Sequence, residues 1–89
     1  MNKKAQYEVL ILETNDFNPT AWTNNPKDGI LIGIDGPMDL KDAQEMARGF
    51  NEEEMKNKDN LWACVMPAKG KPSYKPYQKV IVQGQESLN

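Results

Sequence analysis

No histidine occurs anywhere in the 89-residue chain. That removes the side chain most used for proton transfer near neutral pH and the commonest zinc ligand. A Ser-His-Asp or Cys-His catalytic site within one chain is therefore excluded. Cysteine occurs once, as Cys64, so no disulfide can form inside the chain. A lone cysteine suits a reducing compartment, and the cytoplasm is the expected location. Long hydrophobic runs are also missing. The N-terminus is basic, but the run Val9–Leu12 behind it is too short for a signal-peptide core or a membrane span, so no membrane partner is expected. Charge of one sign is lacking too: eleven bases face thirteen acids, for a net −2. Neither nucleic acid nor an anionic membrane is expected from that balance.

What is present is enough for one small domain. Hydrophobic residues make up 38% and charged residues 27%, and the apolar ones cluster in short runs. A domain of this size buries roughly 60–65% of the surface of its unfolded chain, enough for one modest core. The expected core spans residues 6–83, with loose ends at 1–5 and 84–89.

The runs predict strands over Tyr7–Glu13, Gly29–Ile34, Leu61–Met66 and Lys79–Gln83. Between the second and third, Asp35-Gly36-Pro37 reads as a turn and Asp39 as a helix N-cap. Leu40, Ala43, Met46, Ala47 and Phe50 form one apolar stripe of a helix. Gly49 is expected to end it, and Asn51-Glu52-Glu53-Glu54 to cap a short second helix. The fold class is α+β: a small three- to four-stranded mixed sheet, in sequence order β-β-α-β-β, with the helices on one face. A crossover between the second and third strands would make those two parallel. The layout is like that of many small bacterial proteins, and no motif ties it to one family.

Strict alternation would put Ile30, Ile32 and Ile34 opposite Leu31 and Gly33, leaving both faces of the sheet apolar. One helical stripe covers one face. The other needs the 14–28 loop, carrying Phe17 and Trp22, or a second copy of the chain, so that monomer and homodimer both stay open.

Several residues invite a functional reading, and most have a plainer one. Cys64 sits mid-strand between Ala63 and Val65 with no base nearby, as a small buried hydrophobe does. Asp35, Asp39 and Asp42 lack the spacing of a calcium loop, and no metal or cofactor is expected. The stretch from Gly33 to Pro37 lacks the glycine pattern of a dinucleotide loop. Glu52–Glu54 suit a solvated first helical turn.

The most unusual stretch is Pro67–Lys79, with four lysines and no acid. Lysine with tyrosine is the combination of single-strand binding surfaces, although lysines also discourage edge pairing. The expected function is a non-enzymatic binding or interaction module taking a protein or anionic partner. Its candidate surface comprises Phe17, Trp22, Lys69, Lys71, Tyr74, Lys75 and Tyr77. The alternatives are a pocket between the 14–28 loop and the sheet, with Tyr7, Asp16 and Asp35 as polar groups, and a subunit that docks through its second sheet face.

Overall fold

Four apolar runs become four strands, and the segment that carries an apolar stripe at helical spacing becomes one helix. The computed structural model describes residues 5–68 and 75–82. The elements are β1 (Tyr7–Glu13), β2 (Asp28–Met38), α1 (Leu40–Asn57), β3 (Leu61–Pro67) and β4 (Lys79–Ile81). They form an α+β fold with a four-stranded curled sheet in the order β3-β1-β2-β4.

Every hydrogen-bonded pair is antiparallel, so the sheet is not mixed. β1 lies between β2 and β3 and runs against both. β2 and β3 thus point the same way, as expected of the crossover, but they never touch as ladder neighbours. The central strand takes the place in which a parallel pair would have formed.

β2 is longer than its apolar run and less regular. It continues through Asp35-Gly36-Pro37, where a turn was expected, to Met38. Between Ile11 and Leu12, β1 advances one residue while β2 covers the two from Gly33 to Leu31. A second irregularity lies between Tyr7 and Val9. Such bulges strengthen local twist and bend a strand. The first one breaks the alternation. Leu12 pairs with Leu31 and Leu10 with Ile34, so Leu31 and Ile34 share a face although they are three residues apart. Gly36 lies in the second irregularity at φ +119°, and a Cβ there would come within 2.9 Å of the Tyr7 carbonyl oxygen. A side chain is excluded from that position on both counts.

α1 runs unbroken through Gly49 to Asn57, and no second helix starts at Asn51. Gly49 faces open space, so it costs helix propensity of about 1 kcal/mol without disturbing any packing. The stripe continues past it by helical arithmetic: Ala43, Ala47 and Asn51 are the buried positions, with Leu40 and Phe50 half-buried beside them. Met46, included in the expected stripe, is 42% exposed. Asp39 occupies the N-cap position, but its side chain makes no capping hydrogen bond. The helix ends in a left-handed residue, Lys58, whose N–H bonds to the Glu54 carbonyl at 2.7 Å.

The two faces of the sheet carry separate clusters. On the helix side, Ala43 and Ala47 let α1 approach Val9, Ala63 and Val65 closely. On the other side, Leu10, Leu12, Leu31, Trp62, Cys64 and Met66 pack with Val80 and Val82. Leu10 and Leu12 on this face have no exposed surface, whereas Ile34, which pairs with Leu10, is 40% exposed. Phe17 packs against this face, as expected of the long loop; Trp22 does not. The expected loose ends lie almost wholly outside the described residues.

Candidate functional site

The 14–27 connection holds its shape by local hydrogen bonds. Asn24 Oδ1 accepts from the Thr20 N–H (2.9 Å), the Thr20 hydroxyl (2.7 Å) and the Ala21 N–H (3.0 Å). An asparagine side chain used this way imitates a backbone turn. Further on, the loop is tied to the helix. The guanidinium of Arg48 lies 5.7 Å from the centre of the Trp22 ring, and Arg48 Nε also donates to Glu52 Oε1 at 2.7 Å. Trp22 therefore belongs to the helix side, while Phe17 meets Trp62 edge-on at 5.3 Å on the opposite face. The loop's two aromatics part company around β3, the strand at that edge of the sheet.

Asn51 secures the junction. Its side-chain Nδ2 donates to the Ala63 carbonyl (2.9 Å) and the Trp22 carbonyl (3.1 Å). Its Oδ1 accepts from the Ala63 N–H at 2.8 Å. One amide thus joins helix, edge strand and loop.

A cleft of about 390 Å³ opens where the loop leaves β1, between the end of α1 and the start of β3. Thr14, Phe17, Asn18 and Pro19 form the loop wall. The Thr14 N–H donates to the Asn60 carbonyl at 2.7 Å, which fixes that wall to the entry of β3. Glu54, Met55 and Lys58 come from α1 and its cap. Asn60, Leu61 and Trp62 complete it, Asn60 in the left-handed region at φ 64°, which asparagine tolerates better than most residues. The volume falls in the range of small-ligand sites, roughly 300–1,000 Å³.

Two side-chain atoms of residues that line the cleft have no hydrogen-bond partner: Glu54 Oε1 and the indole Nε1 of Trp62. Both are shielded from solvent, and buried polar atoms are ordinarily paired. Burial raises the Glu54 pKa above its usual value, and the charges of Asp59 and Glu53 add to the effect. The backbone amides of Asp59 and Leu61 oppose it. Two ion pairs occur among the described residues, Arg48–Glu52 and Lys79–Asp28, and neither involves Glu54.

Of the seven residues of the expected binding surface, Phe17 lines the cleft. Trp22 is half-buried beside the helix, away from it. Tyr77 is 77% exposed, and its N–H pairs with the Leu31 carbonyl at the other side of the sheet. Lys75 is exposed next to it, its N–H bonded to Gln78 Oε1. Lys69, Lys71 and Tyr74 lie outside the described residues. The polar groups expected of a loop pocket are elsewhere: Asp16 and Asp35 are exposed, and Tyr7 packs near Val9. The residues that sequence reasoning missed are Glu54 and Trp62. The signal for Glu54 was its place in the helical stripe, seven residues after Ala47.

Cys64 is fully buried, and burial pushes its thiol up to about 12, the state of an unreactive packing group. Among the described residues no group of three potential metal ligands converges, and no helix is long and apolar enough to cross a membrane. Comparison with protein-family models, with curated proteins and with solved structures returned no match.

Proposed function

We propose that this chain is a non-enzymatic binding module for a small ligand, and that its site is the cleft between Phe17, Glu54 and Trp62. One observation carries the reading: a cleft of about 390 Å³, within the size range of ligand sites, between the loop, the end of the helix and the start of β3. Apolar side chains (Phe17, Met55, Leu61) line it together with polar ones (Asn18, Glu54, Asn60), the mixture by which a site both buries a ligand and orients it. The second sheet face gives less support to a docking role, because Leu10, Leu12 and Trp62 are already covered. The single buried cysteine is in keeping with a cytoplasmic protein.

The test is a small-molecule fragment screen followed by amide and indole N–H resonances. Only two indole signals exist, since the chain has two tryptophans, and Trp22→Phe assigns them. Binding compounds should move the Trp62 indole signal together with the amides of Phe17, Met55 and Asn60. Shifts confined to Lys75–Lys79 would instead favour the exposed surface around Tyr77 as a partner-binding face, the reading that its exposure supports.

A further inference from the structure

One helix covers only part of its sheet face. Neighbouring strands stand about 4.8 Å apart and a helix with its side chains is about 10–12 Å across, so four strands leave room for a second helix beside the first. Among the described residues α1 is the one helix, and it packs mainly on β3, then on β1, and least on β2. The flank that carries Arg48 and Asn51 meets Trp22 and Ala63 at the β3 edge, so the opposite flank looks toward β2. Asp42, Met46, Phe50 and Glu53 share that opposite flank, at successive spacings of four, four and three. On the sheet, Ile11 and Glu13 lie on the helix side, alternating with Leu10 and Leu12 of the other cluster. The register carries this face outward: Glu13 pairs with Ile30, Ile30 with Lys79, and Asp28 with Ile81. A trough results beside α1. Ile11, Ile30 and Ile81 form its floor, and Met46 and Phe50 its wall, with Ile81 57% and Met46 42% exposed.

The rim of the trough is acidic. Glu13, Asp42 and Glu53 are exposed there, together with Asp35, which lies opposite Val9 on the same face. None of the four takes part in either ion pair of the described residues, whereas Lys79, on the same face, is engaged by Asp28 at 3.7 Å. A second copy is a poor occupant. The outer face of α1 reads Lys41, Glu45, Arg48, Glu52 and Lys56, with no apolar stripe to offer. Two troughs meeting face to face would set the four acids against their own equivalents.

We propose that the trough binds an amphipathic α-helix of another protein, apolar toward Ile30, Ile81 and Met46 and carrying lysine or arginine along its borders. The helix lies beside α1 and completes the layer, its apolar stripe filling the trough and its bases meeting the acidic rim. None of these residues lines the cleft between Phe17, Glu54 and Trp62, so the two proposals stand or fall separately.

The probe is a peptide of about 18 residues, roughly five turns, made of leucine and lysine with the leucines at helical spacing. One companion has its leucines at every second position; another has glutamate in place of lysine. Each is titrated into the full chain at about 0.15 M salt while amide and indole resonances are followed. The helical lysine peptide should shift the amides of Ile30, Met46, Phe50 and Ile81, leave the Trp62 indole signal in place, and bind at least about tenfold more tightly than either companion. Ile81→Lys and Met46→Lys, both at exposed positions, should each weaken it about tenfold, whereas Tyr77→Lys, a charge-matched change at an exposed position outside the trough, should leave it within about twofold. Equal binding of the glutamate peptide overturns the proposal, and so does tighter binding of the every-second-residue peptide, which would make the occupant a strand. Shifts of the same amides on concentrating the protein alone would place a second copy in the trough and overturn it as well. It is equally overturned if the helical lysine peptide leaves the trough amides unmoved.

Discussion

The Asn51 side chain pairs with the backbone of Ala63 as a neighbouring strand would, donating to its carbonyl at 2.9 Å and accepting from its N–H at 2.8 Å. Ala63 lies on β3, at the edge of the sheet, where unpaired backbone groups otherwise invite association with another chain. The amide closes that edge from above and uses its remaining N–H to hold the loop at Trp22.

Asn51→Ala should therefore cost roughly 2–4 kcal/mol, since it leaves buried donors and acceptors unpaired, more than the ~1 kcal/mol of a lost helix cap. Urea melts of variant and parent measure this directly. Superimposable curves would show that water replaces the amide at Ala63 without loss.

Glu54→Gln should raise the melting temperature at pH 7. The folded protein holds the Glu54 pKa above its unfolded value, mainly through burial. The unfolded chain therefore gives up this proton more readily, and stability falls as pH rises from the unfolded pKa through the folded one. Below both values the wild-type carboxyl is neutral and the advantage of glutamine should vanish. Thermal melts at pH 7 and about pH 3.5 compare the two regimes.

Cys64 should resist thiol reagents in the folded protein and react only on unfolding, because it is buried and its thiol is held up to about 12. The same shift makes stability full below the ordinary thiol pKa near 9 and declining as pH rises from there toward 12. Cys64→Ala should show a weaker decline over that window. Labelling that proceeds at the same rate with and without denaturant would contradict the burial.

Gly29→Ala should destabilise the protein by about 1–3 kcal/mol, the usual range for overpacking. A Cβ at Gly29 would stand 2.8 Å from the Leu12 Cβ and 3.0 Å from the Glu13 carbonyl oxygen, neither of which is a flexible side-chain end. Gly49→Ala serves as the control. It meets nothing within 4 Å and should stabilise α1 by a few tenths to about 1 kcal/mol.

The strands were legible because each is a short apolar run bounded by polar or turn residues, and β1 carries the boundaries expected of it. The helix was legible up to Phe50 and misread beyond. Gly49 looks like a terminator when taken alone, yet on a solvent face it is merely a weak helix former. Asn51 looks like a cap for the same reason: its amide serves a helix start or a strand edge equally well, and only the position of β3 decides. The faces of β2 were not legible. Alternation assumes one residue per pleat, and the extra residue at the Leu31–Gly33 step moves Ile34 to the side of Leu31. The cleft was anticipated as a gap between loop and sheet, but its polar residues were not. They come from the far end of the helix and the start of β3, which the chain brings together through the left-handed residues Lys58 and Asn60.

The order of the strands has a consequence for how the protein can be cut and rejoined. β1, first of the four in sequence, holds both ladders of β2 and β3 together, whereas β4, the last, contributes one short ladder at a margin. Shortening the sequence from the β4 side removes a border; shortening it into β1 separates the two halves of the sheet. A circular permutation opened within Asn15–Thr23 would turn β1 from the first of the four strands in sequence into the last, and the sheet could close only after every other element had been made. Folding speed would then report how far the native order, centre strand first, guides assembly.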